Sequence, residues 1–153
     1  MADIIVWIDA DACPVREETY KVAIRHNVPV KVVANDFLRV MAHPLIERIV
    51  VSDGFDAADD YIVENSGPGH VVITSDILLA DRILKAGSAG LSPKGDPWTN
   101  DNIGSAIATR AIMADLRAGA LGENIGGPKP FTHADRSKFL QSLHTLVEKI
   151  KRS

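Results

Sequence analysis

Short, nearly continuous runs of Val and Ile alternate along this chain with stretches that read as helices, and that alternation most constrains the fold. The runs are Asp3–Ile8, Val28–Ala34, Ile49–Ser52 and His70–Thr74, with a fifth at Ala89–Leu91. They are rich in Val and Ile and nearly continuous rather than alternating, as strands buried on both faces are. The stretches between them predict helices over Val15–His26, Asp56–Asn65, Ile77–Ala86 and Ile103–Ala118, and a last one over about 133–151. Pro14 suits a first helical position, which makes Cys13 the formal N-cap. Gly87 stands where a helix-ending C′ glycine belongs. On the last helix Phe139, Leu143, Leu146, Val147 and Ile150 share one face. Strands alternating with helices imply a three-layer α/β/α sandwich around a central, mainly parallel sheet. At 153 residues, 46% of them hydrophobic, the chain suits a single domain over 1–153 with a proper core.

Several classes are excluded at this stage. No run approaches the roughly 18 apolar residues of a membrane span. The N-terminus lacks the basic-then-apolar order of a secretion signal. Cys13 is the only cysteine, so no intrachain disulfide forms. The expectation is a cytoplasmic protein with no membrane partner. Charge is unevenly spread. Residues 1–81 carry 6 Lys/Arg against 14 Asp/Glu, net −8, whereas residues 129–153 carry 6 against 2, net +4. That asymmetry matches an acidic site beside a phosphate-binding rim, although chance placement of surface charge would give the same numbers.

The strand ends say more. The first strand ends at Asp9 and Asp11. The third ends at Asp53, followed by Asp56, Asp59 and Asp60. The fourth, "VVITSD", ends at Asp76, with Asp81 further along the next helix. In a parallel sheet all these ends lie along one edge, where ligands bind. Like charges brought that close raise one another's pKa, and a divalent cation relieves the strain. Mg²⁺ or Mn²⁺ prefers such hard oxygen ligands and keeps several waters, so a few Asp suffice. Each Asp taken singly also has an ordinary explanation, because Asp is a favoured N-cap beside the positive end of a helix. Asp53 or Asp56 would cap one helix in that way, and Ser75 or Asp76 the next. On a helical wheel Phe55, Ala58 and Ile62 face inward while Asp60 faces water. Cys13, at a helix start, reads better as a small buried residue than as a nucleophile. The five histidines are scattered with no ligand spacing, which predicts no zinc-type site.

Two families resemble the opening Asp-x-Asp. "WIDAD" is similar to the nucleophile strand of haloacid-dehalogenase phosphatases, and "VVITS" to their second motif. Those enzymes place Thr or Val where Cys13 stands here, and their acidic motif comes last rather than before "VVITS". More of the chain resembles the bacterial YaiI/YqxD family, placed among PIN-like domains: "DADACPV" at 9–15, "GFDAADDYI" at 54–62, "TSDILLADRIL" at 74–84, "GGPKPFT" at 126–132 and "DRSKF" at 135–139. The resemblance implies a PIN-like fold and a nuclease that hydrolyses phosphodiester bonds with Mg²⁺ or Mn²⁺, its nucleic-acid partner expected to be RNA. Asp9 matches the first-strand carboxylate, Asp56 or Asp59 the helix carboxylate, and Asp76 the one after the fourth strand. Asp11 and Asp81 have weaker counterparts. The fourth PIN-type carboxylate has no match, since Asp96 follows a glycine turn, which leaves two-metal chemistry short of a ligand.

The expected site therefore has Asp9, Asp56, Asp59, Asp76 and Asp81 as metal ligands. Asp9, Asp11 and Asp76 are the catalytic group, with Asp11 or Asp81 orienting a water. Lys94, Lys129, Arg136 and Lys138 form a basic rim for phosphates. Solvated surface charge accounts for those four equally. Trp98 stacks on a base or packs over the core. A non-catalytic RNA- or nucleotide-binding protein with a degenerate site is the alternative reading, and a phosphatase the other.

Overall fold

The computed structural model describes residues 3–10, 13–52, 54, 56–119 and 131–153. Elements follow in the order β1 (Val6–Asp9), α1 (Arg16–His26), β2 (Val30–Ala34), β3 (Ile46–Val50), α2 (Ala57–Asn65), β4 (Val71–Ile73), α3 (Ile77–Lys85), β5 (Ala89–Leu91), β6 (Pro97–Trp98), α4 (Asn100–Gly119) and α5 (His133–Lys151). The sheet has six strands in the order β3-β2-β1-β4-β5-β6. Strands β1 to β5 are parallel, and β6 runs antiparallel to β5.

Successive residues of a strand point to opposite faces, and the two faces here are both buried. Val6, Ile8, Val30, Val32, Val71, Ile73 and Leu91 pack with Tyr20 and Ala23 of α1 and with Phe139, Leu143 and Val147 of α5. On the other face Trp7, Val33 and Val72 pack against Ala58 and Ile62 of α2 and Leu79 and Ile83 of α3. The result is the expected three-layer α/β/α sandwich. Helix α4 docks on α3. No described helix is long and apolar enough to cross a membrane.

The boundaries differ from expectation where local chemistry intervenes. Helix α1 starts at Arg16 with Val15 at the N-cap, so Pro14 and Cys13 sit in the turn before it. Strand β3 begins at Ile46, three residues before the apolar run, because its edge position leaves Glu47 and Arg48 exposed. Glu47 there pairs across the strands with Lys31 at 3.7 Å, and charge on an edge strand discourages pairing with other chains. Helix α4 begins at Asn100, three residues before its expected start. Thr99 and Asn102 satisfy its first turn reciprocally, Thr99 N donating to Asn102 Oδ1 at 2.8 Å and Asn102 N to Thr99 Oγ1 at 3.1 Å. Helix α5 opens on a full capping box between Thr132 and Asp135. Gly87 ends α3 at φ +93°, the C′ role expected of it.

Candidate functional site

The strand order reverses between β1 and β4: the chain moves outward from β1 to β2 and β3, then returns to β4 on β1's other side. Crevices at the carboxyl ends of strands at such a switch point are where α/β proteins bind ligands. Asp9, the last residue of β1, and Thr74, the first after β4, face each other there. Both are buried, at 6% and 1% exposure. Thr74 Oγ1 donates to Asp9 Oδ2 at 2.9 Å. The same hydroxyl oxygen accepts from the backbone N of Asp76 at 3.0 Å. The indole Nε1 of Trp98 donates to the Thr74 carbonyl at 2.9 Å, bracing the end of β4. Trp98 therefore packs against the strand ends, its β-carbon and ring against Gly90.

Asp76 is both a cap and a member of the cluster. Its Oδ1 accepts from Leu78 N at 2.9 Å and from Leu79 N at 3.3 Å, closing the first turn of α3. Asp56 occupies the N-cap position of α2 in the left-handed region at φ 60°, with no side-chain cap bond. A non-glycine residue in that region is uncommon and stores local strain. Asp59, one turn on, is half-buried. Burial, then the nearby charges of Asp9, Asp76 and Asp56, push its carboxyl up from 3.8 to about 6, with Arg82 opposing. Asp9, Asp56, Asp59 and Asp76 thus share one electrostatic field, delivered by β1, α2 and the start of α3. The grouping is open rather than a closed cage. No three of its described carboxylates bring oxygens within 4.8 Å of one another.

Other expected residues lie elsewhere. Asp81 pairs with Lys85 at 2.9 Å along α3 and is not among the groups acting on Asp59. Asp60 faces outward, as the helical wheel indicated, and pairs with Arg82 at 2.9 Å. Asp11, Asp53, Phe55 and Lys129 fall outside the described residues. Cys13 is buried, and that burial raises its thiol to about 11, which keeps it protonated near neutral pH and fits the reading of a small buried residue. On the rim, Arg136 Nη1 donates to the Pro14 carbonyl at 2.7 Å and approaches Glu18 Oε1 at 3.5 Å, with the guanidinium over the Phe131 ring. Lys138 pairs with Asp96 at 2.6 Å. Asp135 is held below its ordinary carboxylate value, first by the backbone of Thr132, with Lys94 and Lys138 adding to the effect. These cations lie along the same edge of the sheet, but Arg136 and Lys138 already hold internal partners.

The sequence matches the model of the "Uncharacterized BCR, YaiI/YqxD family" over residues 7–149. A UPF0178 protein of Sphingopyxis alaskensis is 60% identical over 152 residues, covering 99% of this chain and 98% of that one. Relatives of the same description from a Jannaschia species and from Rhodopseudomonas palustris are 53% and 50% identical, over 96% and 100% of this chain and 94% and 97% of theirs. The chain belongs to the YaiI/YqxD family. No solved structure matches it.

Within this family member, sequence reasoning passed over two relationships. In the sequence Thr74 is only one residue of "VVITSD", yet its hydroxyl donates to the Asp9 carboxylate at 2.9 Å. Two of the histidines, scattered in sequence, meet in space. His70 Nδ1 accepts from the Trp7 indole at 3.0 Å and His43 Nδ1 from Leu45 N at 3.1 Å, which gives those two structural work. His26 Nε2 and His144 Nδ1, 118 positions apart, meet at 2.9 Å. The available signal was the i,i+4 spacing of His144 and Glu148 on α5, which sets both on one helix face.

Proposed function

We propose that this protein is a metal-dependent phosphodiester hydrolase of the PIN-like kind, acting on nucleic acid, with single-stranded RNA the first substrate class to test. The observation that carries the reading is the Asp59 carboxyl, raised to about 6 by burial and by Asp9, Asp76 and Asp56 at the switch point. A fold that gathers four carboxylates there does so against their mutual repulsion, and perturbed pKa values in a crevice mark functional sites.

The donor set suits a hard divalent ion. All donors are carboxylate oxygens, the ligand type Mg²⁺ prefers; because no three described carboxylates bring oxygens within 4.8 Å of one another, these side chains would have to close on the ion, with water completing its shell. Asp9, Asp59 and Asp76 would hold Mg²⁺ or Mn²⁺, with Asp56 at the margin. Bound there, such an ion makes a water a stronger nucleophile and offsets charge on the phosphoryl oxygens. The chain's own part is positional. Thr74 keeps one Asp9 oxygen directed toward β4, and the α3 cap holds Asp76 through Oδ1. Lys94, on the loop after β5, stands on the same edge for a phosphate oxygen.

Labelled single-stranded RNA and DNA, incubated with Mg²⁺ or Mn²⁺, test the reading. Metal-dependent cleavage that disappears in Asp9→Asn and Asp76→Asn supports it. Absence of both cleavage and Mn²⁺-dependent thermal stabilisation removes the metal site altogether. A second reading, binding of RNA or a nucleotide without cleavage, is favoured by the open carboxylate spacing and the internal pairing of Arg136 and Lys138. Stabilisation by Mn²⁺ and retention of RNA, without cleavage, would select it. Release of phosphate from a small phosphomonoester, dependent on Asp9, would select the phosphatase.

A further inference from the structure

The opposite edge of the sheet carries a second constellation. Helices α1 and α5 run side by side in the same direction: Arg136 reaches Pro14 and Glu18 near their starts, and His144 reaches His26 near their ends. The two imidazoles approach Nε2 to Nδ1 at 2.9 Å, with ring centroids 4.9 Å apart. Glu148, one turn along α5, brings Oε1 to 3.5 Å from His144 Nε2. One donor atom from each of His26, His144 and Glu148 lies within 4.8 Å of the others, and no other such trio occurs among the described residues.

We propose that His26, His144 and Glu148 form a binding site for a divalent transition-metal ion of the zinc class, which clamps α5 to α1.

The donor chemistry selects the ion. Two imidazoles and a carboxylate suit Zn²⁺ or Co²⁺, and the hard oxygen site at the other edge suits Mg²⁺. Ligands about 2.0–2.2 Å from a tetrahedral ion stand about 3.3 Å from one another. The imidazoles need only part by a few tenths of an ångström, and Glu148, 44% exposed, has the freedom to swing in. The fourth position is left to water. Access is open, because His26 lines a groove with Asn27, Pro68 and Lys151 at the amino ends of the strands. Burial, then Lys151, His144 and Arg25, hold His26 below its ordinary value, with Glu148 opposing. Against the ion stands the Lys151 ammonium, with Nζ 3.4 Å from His26 Nδ1. Lys151 is exposed at the end of α5 and can swing into water.

Calorimetric titration of the chelator-treated full chain with Zn²⁺, alongside Co²⁺ absorption spectra and thermal melts, tests the site. One equivalent of Zn²⁺ should bind with roughly micromolar affinity or better and raise the Tm, and Co²⁺ should give visible bands of a four-coordinate ion. Glu148→Gln should weaken binding by about 10- to 100-fold, and His144→Gln should abolish it. Circular dichroism of both variants confirms that the fold is intact. Asp9→Asn/Asp76→Asn should bind Zn²⁺ as the wild type does, which separates this site from the acidic edge. No Zn²⁺ binding by the wild type, binding unchanged in folded His144→Gln, or binding lost in Asp9→Asn/Asp76→Asn overturns the proposal.

Discussion

Thr74 fixes the carboxylate of Asp9 across the β1–β4 pair, its hydroxyl donating at 2.9 Å between two buried side chains. Because the same oxygen accepts from Asp76 N, one hydroxyl sets both the orientation of Asp9 and the entry into α3. Thr74→Val keeps the shape and removes both bonds. It takes its acceptor from the backbone N of Asp76 and removes the Thr74 bond to the buried Asp9 carboxylate, which should cost about 1–3 kcal/mol. Urea unfolding should show a lower midpoint with an unchanged slope. Any metal-dependent activity should fall with it, because Asp9 loses the bond that directs its Oδ2 toward β4. An unaltered midpoint would mean the hydroxyl is dispensable.

Asp59 should tie stability to pH. Its carboxyl rises from 3.8 to about 6 on folding, so between those values the folded chain binds more protons than the unfolded one. Stability from this group is therefore greatest below about pH 4, declines as pH rises, and levels off above about pH 6. Asp59→Asn removes the ionisation. The Tm difference between variant and wild type should grow in the variant's favour from pH 4 to pH 6 and stay constant above. Mg²⁺ should flatten the wild-type profile by stabilising the ionised carboxylate. A Tm difference independent of pH would show that Asp59 is not held among those charges.

Much of this arrangement was legible in the sequence, for reasons the structure makes plain. Strands buried on both faces leave little that is polar among their Val and Ile, so β1, β2 and β4 stand out. Parallel strands also bring their ends together, which makes Asp9, Asp59 and Asp76 neighbours by topology alone. Edges were harder to read. Strand β3 hides behind the exposed Glu47 and Arg48, and β6 is two residues long and begins with proline. Tertiary pairing was not readable at all. Arg136 and Lys138 look like free rim cations until Pro14, Glu18 and Asp96 arrive from distant parts of the chain. His26 and His144 become neighbours only because α1 and α5 lie side by side.

The two roles of Asp76 can be separated. As N-cap of α3 it needs only an oxygen acceptor, whereas a metal ligand needs charge. Asp76→Asn should keep the cap within a few tenths of a kcal/mol of wild type, because Asn caps about as well as Asp, and should lose Mn²⁺-dependent stabilisation. Asp76→Ala should lose both, costing about 0.5–2 kcal/mol in stability. Melts with and without Mn²⁺ distinguish the pair. Equal metal responses in wild type and Asp76→Asn would leave Asp76 as a cap alone.

Gly95 is where the loop carrying Lys94 docks on α5, and it should tolerate no side chain. Its φ is +89°, and a Cβ there would stand 3.0 Å from the backbone C and O of Lys138 and from the Cα of Phe139. Helix backbone cannot yield as a flexible side chain would. Phe139 is fully buried, so any retreat of α5 opens the core. Gly95→Ala combines this clash with left-handed strain and should destabilise by about 1–3 kcal/mol. The loss should exceed that of Gly67→Ala, where a Cβ meets nothing within 4 Å and φ is not in the left-handed range. The Lys138–Asp96 pair spans the same junction at 2.6 Å. Being exposed, it should contribute less than about 1 kcal/mol and lose even that in high salt. Urea midpoints of Gly95→Ala, Gly67→Ala and Lys138→Ala rank the three. A Gly95→Ala midpoint no lower than that of Lys138→Ala would show that charge, not close backbone contact, fastens the loop.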